Sequence, residues 1–186
     1  VNACLDALRS GLVVAIPTDT VYGVAVSPTV PGAMDRLFAL KHRPREVSIA
    51  VLIASPEDAR RLASVGEQAS RLMDRFWPGP LTIVLPRAAG VDLDLGGDPS
   101  TVGIRCPDHD LVRSLASDVG PLATTSANRH KEPTPTDAAG VAAVFGDELA
   151  LVVDGGVCDG APSTVVSLVG GELTVLRQGP LDVWAR

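Results

Sequence analysis

The chain has 186 residues, 46% of them apolar and 20% charged, and a formal net charge of −6. That length builds one domain with a sizeable core, and the composition excludes a disordered or fibrous chain. The acidic balance disfavours non-specific nucleic-acid binding, so any RNA contact needs a local basic patch; no apolar run reaches the roughly 20 residues of a membrane helix, and no signal-peptide pattern is visible.

Aromatic residues make up only 3%, so the core must come from Val, Leu, Ile and Ala. Cys4 to Arg9 reads as the end of a short helix, stopped by Gly11. Leu12 to Ile16 is a continuous apolar run closed by Pro17, which suits a strand buried on both faces. Thr18 to Gly23 reads as a polar loop. Gly32 to Leu40 carries Met34, Leu37 and Phe38 at helical spacing, with Lys41, His42 and Arg43 at its end and Pro44 as its stop. Ser48 to Ala54 reads as a strand, Pro56 opens a helix, and a further helix covers Glu67 to Phe76.

After the rigid Pro78-Gly79-Pro80 turn, Leu81 to Leu85 is a strand. Gly90 to Pro99 is loop, and Thr101 to Arg105 a short strand. Asp108 suits the N-cap of a helix with Leu111, Leu115 and Val119 on one face. Pro121 to Thr125 is a strand leading into a polar stretch, Ser126 to Pro135. Thr136 caps a helix running to about Phe145. Strands at Leu149–Asp154, Ser163–Leu168 and Glu172–Arg177 close the chain. Mixed strands and short helices, ending in a run of strands, predict an α/β domain with a mixed sheet over the whole of 1–186.

Cys4, Cys106 and Cys158 show no paired spacing, which fits small buried hydrophobes in a reducing compartment. His42, His109 and His130 form no metal-binding pair, so no protein-borne metal site is expected. The polar residues sit unusually. Apolar strands lead into Thr18-Asp19-Thr20, Thr124-Thr125-Ser126 and Asn128, while Ser163-Thr164 opens another. Thr101 and Arg105 share one strand face by the period-two rule. Hydroxyls converging with Arg at strand ends suit an anionic ligand; each cluster alone also suits a helix or turn cap. Lys41, Arg43 and Arg45 form a basic group that fits either a phosphate or a helix C-terminus. Phosphate-loop and dinucleotide glycine motifs are missing, as is a nucleophile elbow. Neither Asp19 with Tyr22 nor Ser126 with His130 has a third group to make it a nucleophile–base pair.

Pro17-Thr18-Asp19-Thr20-Val21-Tyr22-Gly23 resembles the opening signature of the YrdC-like threonylcarbamoyl-AMP synthases. Lys41-x-Arg43-Pro44, Pro78-Gly79-Pro80-x-Thr82, Val102-Gly103-Ile104-Arg105-x-Pro107, Thr125-Ser126-Ala127-Asn128, Pro162-Ser163-Thr164-Val165 and Arg177-x-Gly179 follow in that family's order. The resemblance implies a twisted mixed sheet flanked by helices around a concave ligand site, in the short single-domain form of the family. It implies an enzyme joining L-threonine, bicarbonate and ATP into threonylcarbamoyl-AMP and pyrophosphate, with Mg²⁺ carried by ATP, in the cytoplasm. Partner proteins then transfer the group to tRNA. The substrate supplies the nucleophile, which accounts for the missing triad; alignment and charge neutralisation do the rest.

By the same resemblance, Lys41 and Arg43 hold the ATP phosphates and act in catalysis. Thr20, Arg105, Thr124 and Ser163 hold threonine, with Arg105 pairing its carboxylate. Thr101, Ser126, Asn128, Thr134 and Arg177 are similar to nucleotide-binding positions, and Tyr22 to a pocket wall. The chain departs from the pattern at Arg45-Glu46-Val47-Ser48, where an Asn or Lys is usual, and at Arg129-His130-Lys131, where x-Ser-Gly is usual. The competing reading is a non-catalytic module of the same fold that binds structured RNA. A related carbamoyl-adenylate enzyme with another acceptor is a third.

Overall fold

A computed structural model describes residues 1–185 of the chain. Nine strands form one sheet: β1 (Val14–Ile16), β2 (Gly23–Val26), β3 (Ala50–Leu52), β4 (Leu81–Pro86), β5 (Thr101–Arg105), β6 (Leu122–Ser126), β7 (Leu151–Val152), β8 (Thr164–Ser167) and β9 (Thr174–Arg177). Their order across the sheet is β7-β1-β2-β6-β3-β5-β4-β8-β9. The pairs β1–β7, β3–β5 and β4–β8 are parallel and the other pairs antiparallel, so the sheet is mixed. The helices are α1 (Asn2–Arg9), α2 (Ala33–Lys41), α3 (Ala59–Leu62), α4 (Glu67–Phe76), α5 (Asp110–Val119) and α6 (Ala138–Phe145).

Alternation along the strands sorts their side chains onto two faces. Ala15, Val24, Val51, Ile83, Ile104, Ala123 and Val166 point to a core completed by α2, α3, α4 and α6. On the opposite face, Val14, Ile16, Ala25, Leu52 and Leu122 pack under α1 and α5. No residue of β4, β5, β8 or β9 belongs to this second cluster. Two helices therefore cover only half of that face, and the other half stays open as a concavity.

Several expected boundaries move. The loop expected over Thr18 to Gly23 stops one residue short, because Gly23 opens strand β2, which is wholly buried between β1 and β6. Asp137, not Thr136, caps α6: its Oδ1 accepts the Gly140 N–H at 2.7 Å. His109, not Asp108, is the N-cap residue of α5, and Asp108 instead pairs with Arg113. The helix expected from Pro56 is a 3-10 turn, Pro56–Asp58, running into the single turn of α3, opened by a Ser55–Asp58 capping box. The three cysteines are free thiols.

Candidate active site

A cavity of about 300 Å³ opens over the uncovered half-face. Its floor follows from the strand register. One row runs from Leu122 to Leu52 to Arg105, and on through Thr82 and Val165 to Arg177. Leu122 and Leu52 lie in the α1–α5 cluster, whereas the row turns polar at Arg105, where the covering helices end. The neighbouring row, with Thr124 paired to Ala50 and Gly103 to Val84, is built from small residues and gives depth. A Cβ on Gly103 meets only ordinary contacts, 3.4 Å from Ala50 Cβ and 3.6 Å from Thr82 Cγ2, so a larger side chain there fills the cavity itself.

Arg105 is 6% exposed. Its guanidinium donates to Gly79 O at 3.1 Å, Thr20 Oγ1 at 3.0 Å and Asp19 Oδ1 at 2.6 Å. These partners fix the plane of the fork and leave its remaining N–H groups for a ligand. Thr20 Oγ1 lies 3.0 Å from Thr18 Oγ1, and Thr18 in turn donates to Val21 O at 2.6 Å. The Thr18 hydroxyl also accepts the Thr20 and Val21 N–H groups, so this turn is closed by its own hydroxyl.

Across the cavity, Arg177 donates to Ser163 O from Nε at 3.0 Å and from a terminal nitrogen at 2.9 Å, and to Ser163 Oγ at 3.1 Å. Ser163 Oγ is 2.9 Å from Thr82 Oγ1. Gly179 makes this clasp possible. A Cβ there would lie 2.4 Å from Pro162 O and from Thr164 N, so only glycine lets the chain press against Ser163. Arg43 is anchored through Val47 O at 3.0 Å and Ser48 O at 2.8 Å.

These three guanidiniums sense one another. Burial lowers the pKa of Arg43, helped by the charge of Arg177; burial lowers that of Arg177, helped by Arg105. No carboxylate lines the cavity among the described residues. Converging, partly desolvated cations with hydroxyls between them are complementary to an anion. The lining also holds no residue placed as a nucleophile beside an oriented base, so the site aligns and neutralises rather than attacks.

The structure brings Thr20, Arg43, Arg105, Thr124, Ser126, Ser163 and Arg177 to this one cavity. Lys41, Asn128, Thr101 and Thr134 do not line it. Lys41 is 1% exposed and donates to Ser126 O at 2.5 Å, to Asn128 O and to Asn128 Oδ1 at 3.1 Å, so it braces the loop after β6 from beneath. Asn128 spans that loop, donating to Arg129 O at 2.8 Å and to Glu132 O. Thr101 shares the Arg105 face but begins the strand that Arg105 ends, about 13 Å away at strand rise, and donates to Asp98 O at 3.2 Å. Tyr22 is wholly buried and is no pocket wall. Its hydroxyl accepts the Gly155 N–H at 3.0 Å and donates to Gly156 O at 2.9 Å, tying down the segment before β8.

Thr18 and Thr125, members of the hydroxyl clusters at the strand ends, also line the cavity, as do Thr82 of the Pro78-Gly79-Pro80-x-Thr82 motif and Ser48, where the chain departs from the family pattern. Leu81, Ile83 and Leu85 are apolar, so period two turns Thr82 to the other face. No group of His, Cys, Asp and Glu able to hold a metal occurs among the described residues.

A mixed sheet half-covered by helices, with three arginines and a ring of hydroxyls on its bare face, defines an α/β protein whose cavity is complementary to an anion. The Sua5/YciO/YrdC family model, described as telomere recombination, matches residues 6–179, and the chain belongs to that family. It is 36% identical over 182 residues to a protein of Mycobacterium tuberculosis (strain ATCC 25618 / H37Rv) named as a putative threonylcarbamoyl-AMP synthase, covering 97% of this chain and 84% of that one. Among solved structures it is similar to Sua5 of P. abyssi complexed with L-threonine, with a TM-score of 0.90 and 38% identity, covering 96% of this chain. The chain spans about half, 53%, of that protein's length. YciO of E. coli superposes with a TM-score of 0.89 at 25% identity, covering 98% of this chain and 90% of that one.

Proposed function

We propose that this chain is a threonylcarbamoyl-AMP synthase, making threonylcarbamoyl-AMP and pyrophosphate from L-threonine, bicarbonate and ATP. The observation that carries the reading is the convergence of Arg43, Arg105 and Arg177 on one cavity lined with hydroxyls and free of carboxylates. Relatives named for this activity, and a similar protein crystallised with L-threonine, support it.

In this reading, the threonine nitrogen bonds to the carbon of bicarbonate as water leaves with an amine proton, giving an N-carboxylated amino acid whose carboxylate oxygen attacks the α-phosphorus of ATP. The bond from that phosphorus to the bridging oxygen breaks, and pyrophosphate leaves with the electron pair. Both partners are anions, so their approach is resisted by charge. The three guanidiniums offset that repulsion, and they cost no reorganisation because Ser163, Thr20, Asp19 and the Val47–Ser48 carbonyls already hold them in place. The remaining Arg105 N–H groups suit the threonine carboxylate. Thr20, Thr124 and Ser163 suit its polar groups, and Arg43, Ser126 and Arg177 suit the nucleotide. Mg²⁺ fits as an ion brought by the phosphates of ATP, since the cavity offers hydroxyls but no acidic cage. The product then passes to tRNA-modifying partners, in a cytoplasm that agrees with three free thiols. No helix among the described residues is long and apolar enough to cross a membrane.

The competing view, a structured-RNA-binding module, finds less support, because these cations converge in a concavity instead of spreading over an open surface. The deciding assay is pyrophosphate release with each substrate withheld in turn. Release should require threonine and bicarbonate together; ATP cleaved equally fast without threonine sinks the reading. Within the same assay, Arg43→Ala should lower kcat/KM about 100-fold, equivalent to about 2.7 kcal/mol, while the fold melts as before.

A further inference from the structure

Past Ser126 the chain leaves the cavity through Arg129-His130-Lys131-Glu132, a turn rich in positive charge. The Glu132 N–H donates to Arg129 O at 3.0 Å, closing a β-turn with Lys131 at its third position. Lys131 has φ +70°, the left-handed conformation that this turn normally fills with glycine. The loop tolerates it because the backbone is held from two sides. Asn128 clasps the Arg129 and Glu132 carbonyls, and the buried Lys41 amine grips Ser126 and Asn128 below. A lysine where the backbone favours glycine, in the loop that follows the cavity-lining Ser126, is an outlier of the kind found at functional sites.

The surrounding charges single out the same residue. Arg129 is already satisfied: it donates to Leu40 O, pairs with Glu148 and stacks 4.8 Å over the Phe145 ring. The backbone N–H of His130 donates to Lys41 O at 3.2 Å, and burial together with Lys131, Arg43 and Lys41 lowers the pKa of its imidazole, which disfavours a second charge there. Lys131 is exposed and takes part in no ion pair among the described residues, and the contact of its neighbour His130 with the Lys41 carbonyl sets the turn on the side of the cavity where Arg43 stands. The cavity, at about 300 Å³, is at the small end for a ligand site. A nucleoside triphosphate seated there extends beyond its mouth.

We propose that the Arg129–Glu132 turn is a cationic rim in which Lys131 holds the outermost phosphates of the nucleotide and then the departing pyrophosphate. The proposal rests on the reading of the cavity as an ATP site. Lys131 is a positioning residue for the leaving group, and no bond is made or broken on it. Pyrophosphate is the sharpest probe, because that molecule carries only the part of the substrate assigned to the rim.

The test is calorimetric titration of inorganic pyrophosphate, ATP and L-threonine into the wild-type chain and into Lys131→Gly, Lys131→Gln and Lys131→Arg. Lys131→Gly and Lys131→Gln should weaken pyrophosphate binding about fivefold, with a shallower salt dependence. Lys131→Arg should retain it, and threonine affinity should not change. Lys131→Gly should melt no lower than wild type, since glycine suits the left-handed turn, so lost binding cannot be blamed on misfolding. Pyrophosphate affinity unchanged in Lys131→Gly and Lys131→Gln overturns the rim, as does a wild-type chain that binds no pyrophosphate. The threonine-dependent release assay decides the synthase reading separately: a chain that grips pyrophosphate through Lys131 but releases none from ATP keeps the rim and loses the reaction.

Discussion

Lys41 and Arg43 sit two positions apart in one motif yet do different work, because α2 ends at Lys41 and the left-handed His42 redirects the chain before Arg43. Arg43 reaches the cavity; Lys41 turns under the loop after β6. Burial, with Arg43 and Arg129 nearby, lowers the Lys41 amine to about 8 from its ordinary 10.5. The folded chain thus releases this proton first. Between about pH 8 and 10.5 the unfolded chain binds more protons, so the contribution of Lys41 to stability rises with pH across that window and is flat below it. Urea unfolding of wild type and Lys41→Met at several pH values checks this. The variant should lose the upward slope, and at neutral pH it should be weaker by about 1–3 kcal/mol, because the Ser126 and Asn128 carbonyls are left without their donor. A parallel pH dependence in both proteins shows that Lys41 does not titrate there.

At the scale of elements, the site depends on how β8 and β9 are pinned. Arg177 at the end of β9 chelates the Ser163 carbonyl just before β8, and Gly179 allows the close approach. Gly179→Ala should therefore cost about 3 kcal/mol, through backbone overlap that no rotamer relieves. It should also abolish pyrophosphate release, since Arg177 and Ser163 both line the cavity. A urea midpoint equal to wild type refutes this account of the Arg177-x-Gly179 motif. The Tyr22 hydroxyl is a second pin of this kind, holding Gly155 and Gly156. Residues that a motif makes conspicuous can thus serve backbone placement instead of ligand contact.

For the whole molecule, the controlling fact is incomplete coverage of one sheet face. α1 and α5 shield the strands from β7 to β3, and the bare strands beyond gather cations whose mutual repulsion an anion relieves. Ligand binding should consequently stabilise the fold. ATP at 100 times its Kd adds about 2.7 kcal/mol, which corresponds to roughly 5–10 °C in Tm for a chain of this size. Differential scanning fluorimetry with ATP, inorganic phosphate and sodium chloride at matched ionic strength checks it. ATP should raise Tm most and chloride least; equal shifts mean that general screening, not a site, is responsible.

The sequence by itself determined the alternation that builds both faces of the sheet, the hydroxyls and arginines that make the cavity, and the family, because each is written in local spacing. Thr82 among apolar neighbours and Thr101 with Arg105 on one face were legible in that way. Only the tertiary structure decided which of these residues meet. Thr101 and Arg105 share a face but sit at opposite ends of β5, Lys41 is fully buried while Arg43 is only partly so and lines the cavity, and Arg105 is already held by Asp19, a residue 86 positions away. Strand order and register are long-range facts: they arise from how nine short strands share one sheet between two clusters of apolar side chains, and no window of sequence contains them.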